Sequence, residues 1–184
     1  SPRKIDLYDA HTDLLTCANH YQSKAFATDS ANLMNIRDSD SKHRHDRMLQ
    51  LLNQRYPISL FDAAQILRDQ KGLNGKDIGM GNPKALNQLI AHHSLIMKPE
   101  MGKIWISTIP YQLGQYIAYD LNQVFQSKGK FAATDSESIA ADPFLSTDAY
   151  VKFVSFKKTR QHINKFVNLG IPFELTSKEE QEFQ

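Results

Sequence analysis

Residues 14 to 21 read Leu-Leu-Thr-Cys-Ala-Asn-His-Tyr, and four of them, Cys17, Asn19, His20 and Tyr21, carry groups that could take part in chemistry. Cys17 is the single cysteine of the chain. A thiolate is a strong nucleophile, but it needs an exposed site and a neighbouring base or cation. Cys17 stands in an apolar run beside Leu14 and Leu15, and free cysteine is among the most buried residue types, so packing is the expectation for it. Asn19 is different. An amide at the end of an apolar run must pair its donors, and its NH2 could meet the charge that develops on a carbonyl oxygen under attack. His20 and Tyr21 would then shape the wall of that site. The competing reading of Asn19 is a turn-forming residue.

Other polar clusters carry less. His43 and His45 are two apart, so on a helix they diverge, and His92 and His93 are adjacent, so on a strand they face opposite ways. Neither pair has the spacing of a helical zinc site, so no metal is expected. Gly-Met-Gly-Asn-Pro-Lys, residues 79 to 84, lacks the third glycine of a dinucleotide fingerprint and reads as a surface loop. Ser-Lys-His-Arg-His-Asp-Arg, residues 41 to 47, is basic and reads as a solvated helix face.

These residues need elements to hold them. Lys4–Ala10 and Asp13–Asn19 have the character of two short strands, and residues 22 to 38 read as irregular. Residues 39 to 56 form a helix, capped by Ser39 or Ser41 and ended by Pro57. Residues 59 to 70 form another, with Ser59 as cap, Asp62 in the first turn and a stripe of Leu60, Ala63, Ala64 and Leu67. Three strands follow at 87–99, 102–110 and 114–121, the first two joined at Met101-Gly102. On the first, Leu89, Ala91, His93, Leu95 and Met97 form the more apolar face and are expected to point at the core. Residues 126 to 143 are loop-like. A long helix over 146–170 is capped by Ser146 or Thr147 and stopped by Gly170, and the tail from Thr176 is expected to fray. This order predicts an α+β fold with an antiparallel sheet, built as one domain over residues 1–184.

Bulk properties exclude little. The 184 residues fit one domain, and a net charge of +2 demands neither nucleic acid nor a membrane surface. No apolar run approaches the ~20 residues that span a bilayer. One cysteine allows no internal disulfide, so compartment is undetermined. The start, Ser-Pro-Arg-Lys, reads like a cut from a longer chain.

Four pieces, in order, resemble one family. They are Leu14–Tyr21, the helix start with Ser41, Arg44, Arg47 and Met48, the hairpin Ala91–Thr108, and Pro110–Leu121. The chain over residues 5 to 122 is similar to the acyl-coenzyme A:6-aminopenicillanic acid acyltransferases, relatives of the choloylglycine hydrolases. The resemblance implies an αββα N-terminal-nucleophile sandwich and a cysteine that becomes the first residue by autoproteolysis. It places Asn19 at the oxyanion hole and Arg44 near the nucleophile, and it assigns Ser41 a structural role. Ala18 stands where that family usually has Thr, His43 where it has Ser, and Cys17 matches no catalytic position. The nucleophile is then expected on an N-terminal portion of the same enzyme, with this chain as the inactive C-terminal portion. The expected activity is cleavage or transfer at a small non-peptide amide, without a cofactor, a nucleic acid or a membrane span. The rival expectation is a non-catalytic α+β binding or structural module that uses residues 42 to 47 as its contact surface.

Overall fold

A computed structural model describes residues 5–7, 13–127, 135–172 and 174–181. The chain divides into two compact units, one ending at Ile139 and one beginning at Ala140, where a single domain is the sequence expectation.

The first unit is α+β. Helix α1 (Ser30–Asp38) is capped by Asp29, whose carboxylate accepts from the Asn32 amide. It lies where irregular chain is expected, and the reason is its composition. It buries only Asn32, so it lacks an apolar stripe. Helix α2 (Ser41–Arg55) follows, with Ser39 Oγ accepting from the Ser41 amide. Ser41 itself is fully buried and turns its hydroxyl away to another partner. Helix α3 (Leu60–Leu67) carries the expected capping box, with Ser59 and Asp62 each bonding the other's amide.

The sheet has three strands, β1 (Leu95–Lys98), β2 (Lys103–Ser107) and β3 (Tyr116–Asp120), antiparallel and in that order. A single 3-10 turn, Pro99–Met101, joins β1 to β2. It closes at Gly102 with φ +61°, and a side chain there would also lie 2.9 Å from Asn122 Nδ2. Strand β1 is shorter than expected, because residues 87–94 form no ladder. That stretch is held instead by the fully buried Asn87. Its amide donates to Asp69 O, its Nδ2 to Tyr111 O, and its Oδ1 accepts from Leu89 N.

The core face of β1 is the opposite of the expected one. Ile96 sits opposite Trp105, which sits opposite Ala118, and these pack with Ala64, Tyr116, Leu60 and Leu67. Ser94 is tolerated inward because its hydroxyl bonds the Tyr116 phenol while its amide donates to Ser107 Oγ. Leu95 and Met97 point outward and are exposed. In register with them stand Ile106 and Ile117, and Ile104 and Tyr119. This outer face therefore carries six apolar side chains and no charge, and none of the six is buried.

The chain between β2 and β3 doubles back tightly. A side-chain carbon at Gly114 would collide with Thr108 Oγ1 and with the carbonyls of Thr108 and Ile109. The Gly114 carbonyl also accepts from the buried Arg68, at 2.7 Å. Gly114→Ala is expected to cost about 1–3 kcal/mol by overpacking. Urea unfolding checks this, and a midpoint equal to that of the parent chain would disprove the close packing.

Asp13–Asn19 makes no strand, and among residues 5–7 there is none either. The rest of Lys4–Ala10 lies outside the described residues. Asp13–Asn19 has the strand pattern but no ladder partner. Its side chains dock on a helix instead.

Helix α4 (Leu121–Gln126) follows β3 in the first unit, and the second unit contains α5 (Asp148–Leu169) and α6 (Ser177–Gln181). Thr147 caps α5, accepting from the Tyr150 amide, and Gly170 ends it, both as expected. The tail is helical through Gln181. Thr176 Oγ1 accepts from the Glu179 amide, and the Glu179 carboxylate accepts in return from the Thr176 amide and hydroxyl. No helix among the described residues is long and apolar enough to cross a membrane.

Candidate functional site

Helix α2 sets the geometry. Ser41, Arg44 and His45 stand at i, i+3 and i+4, so they share one face at the start of the helix. The extended segment 13–22 meets that face through three side-chain contacts. Thr16 Oγ1 and His45 Nε2 are 2.9 Å apart, and His20 Nδ1 and Ser41 Oγ are 2.8 Å apart. Arg44 Nη2 approaches Asn19 Oδ1 at 3.4 Å, a long contact. Its other nitrogen, Nη1, donates to Pro83 O at 2.6 Å.

Helix α1 braces the same segment from its other side. Asn35 Nδ2 donates to the Asn19 carbonyl at 2.7 Å. Asn32, 3 % exposed, accepts from the Tyr21 amide and donates to the carbonyls of Tyr21 and Phe26. The Asn19 main chain is thus fixed while its side chain stays exposed. With Oδ1 turned toward Arg44, Nδ2 points its two N–H groups elsewhere, and they form no hydrogen bond among the described residues. An amide donor held in this way can serve a developing negative charge.

His20 is half-buried. Its ring meets the His45 ring edge-on, with centroids 5.6 Å apart. Burial, then the neighbouring His45 and Lys42, hold its pKa below the usual histidine value, with Asp46 opposing. Asp46 is pushed up by burial, but hydrogen bonding and attraction from Lys42 and His45 prevail and keep its carboxyl below the usual range. Tyr21 is exposed and stacks on Phe26 at 4.5 Å.

Cys17 is exposed, which corrects the packing expectation. Without a ladder partner the segment leaves alternate side chains open to solvent. Cys17 borders a hollow of about 370 Å³ together with Leu14, Thr16, Gln22 and His45. Among the described residues no group of three His, Cys, Asp or Glu side chains could hold a metal.

Sequence reasoning singled out Asn19, His20, Tyr21 and Arg44; Asn19 and His20 meet Arg44 and Ser41 at the start of α2, whereas Tyr21 is held by Asn32 of α1 and by Phe26. The same reasoning missed Thr16, Asn32, Asn35 and His45. Only Asn32 left a local signal, as the third residue after the capping Asp29. The others bond residues 16 to 29 positions away, which no local pattern encodes.

No protein-family model matches this chain, and neither a curated protein nor a solved structure does.

Proposed function

We propose that this chain is the C-terminal portion of a cysteine N-terminal-nucleophile amidase or acyltransferase acting on non-peptide C–N amide bonds. The observation that carries the reading is the meeting of Asn19 and Arg44 at 3.4 Å. In the complete enzyme the cysteine, on an N-terminal portion, attacks the amide carbonyl. The tetrahedral oxyanion is met by Asn19 Nδ2, the amine leaves, and the acyl group on sulfur passes to water or to another amine. Arg44 keeps its charge at every working pH and so holds a thiolate or a substrate carboxylate without tuning.

The sheet supports the αββα arrangement. One face is covered by α3, and the other is the six-residue apolar array described above. Stacked sheets bury faces of this kind against each other about 10 Å apart. A second reading, a non-catalytic α+β module, is favoured by one feature. The guanidinium of Arg44 is already engaged by Pro83 O and Asn19, as in a purely structural clamp.

The full-length product separates the two. N-terminal sequencing and intact mass should find a processed chain that begins with Cys. Incubation with an acyl-amide panel should add one acyl group to that Cys. The isolated chain, and its Cys17→Ala variant, should turn over none of these substrates. Acylation of Cys17, or a full-length product with no processed cysteine, would refute the proposal.

A further inference from the structure

Segment 13–22 is held on α2 by side chains and by no strand ladder. Two of its three contacts run through imidazoles. Ser41 is the first residue of α2, so the His20 ring lies at the positive end of the helix dipole, where a cation is disfavoured. Around it α2 presents the His45 ring, the Lys42 ammonium and the Asp46 carboxylate. Asp46 is the one group that favours a charge on His20, and it is already bonded to Lys42 Nζ at 2.7 and 2.8 Å. Helix α1 brings Asn32 and Asn35 to the segment, neither of them titratable. Its Arg37 and Asp38 pair with each other.

We propose that His20 forms a proton-operated latch on the site. While its ring is neutral it clasps the segment carrying Asn19 to α2, and a proton taken from water onto His20 loosens that clasp, so that the Asn19 side chain drifts from Arg44 on a main chain that Asn32 and Asn35 still hold. The functional consequence, an acyl-transfer site that closes down in acid, rests on the reading of Asn19 and Arg44 given above. The latch itself does not. The sign follows from the folded-state pKa of His20, which lies below its ordinary value of 6.5. The latch is fully closed above that value and is lost as pH falls through the lower folded one.

Cys17, the single cysteine, is exposed and three residues from His20, so a maleimide fluorophore on it reports the mobility of the segment. Between pH 7.5 and 5.0 the anisotropy of the label should fall, while emission from the buried Trp105 stays constant. His20→Asn keeps a neutral amide near the Ser41 hydroxyl and should hold the label immobile throughout. Lys42→Gln removes an opposing cation and frees Asp46, so the closed state tolerates the proton better and the fall in anisotropy should shrink or move to lower pH. A wild-type anisotropy that does not change would overturn the latch. So would a fall of the same size in His20→Asn, or a Lys42→Gln midpoint that moves to higher pH. The readout is mobility and not turnover, so an overturned latch leaves the acyl-transfer reading standing, and an inactive enzyme leaves the latch standing.

Discussion

On the proposed acyl-transfer reading, Asn19→Ala in the complete enzyme is expected to lower kcat by about 100- to 1,000-fold, the typical cost of one oxyanion donor. KM should change little, because the charge that Nδ2 would meet exists only in the transition state. The fold is not at risk. The anchoring bond from Asn35 goes to the main-chain carbonyl of residue 19, which alanine retains. The side chain is exposed, and its one bonded atom makes only the long contact to Arg44. Steady-state kinetics on the best amide of the panel, with circular dichroism as the control for folding, measure the effect. Wild-type turnover in the variant would remove Asn19 from the chemistry. A raised KM with unchanged kcat would make it a substrate contact instead.

Asp69→Ala unfolds the first unit more readily by about 3–5 kcal/mol, the cost of leaving a buried charge without its partner. Arg47 and Asp69 form a two-pronged pair, Nε to Oδ2 at 2.9 Å and Nη2 to Oδ1 at 2.8 Å. Their side chains are only 7 % and 13 % exposed. Arg47 Nη1 also donates to Gln50, which exchanges two bonds with Asn74, so the pair ties α2 to the turn Leu73–Gly75. Replacing both members with apolar residues, Arg47→Met and Asp69→Leu, should recover most of the loss, since no buried charge is then stranded. Denaturant unfolding at neutral pH decides it. A single variant within 1 kcal/mol of the parent would mean the pair is far better solvated than its burial indicates.

The elements legible in the sequence are those whose signals are local. Ser59 and Asp62 announce α3, Thr147 and Gly170 bracket α5, and Gly102 marks the hairpin between β1 and β2. The rest depended on partners distant in the chain. Asp13–Asn19 has the pattern of a strand, but a strand exists only where a ladder partner does, and here the partner is the face of a helix. The inward face of β1 depended on Trp105 and Tyr116 across the sheet, which give Ile96 a neighbour and Ser94 a hydrogen bond. Counting apolar residues on one strand could not weigh those. For the site, the residues 41, 44 and 45 share a helix face by simple spacing. That they meet Thr16, Asn19 and His20 was not encoded locally, and Asn19 and Arg44 were linked only through the family resemblance.

Asn32 spans the loop that follows Asn19 like a gauge block. One carboxamide accepts from the amide of Tyr21 and donates to the carbonyls of Tyr21 and Phe26. The number of residues between 21 and 26 is therefore fixed by the size of a single side chain, while their identities are largely free. Inserting one residue there would throw both carbonyls off the gauge and shift Asn19 along α2. Among descendants of this chain, the loop should drift in composition and hold its length.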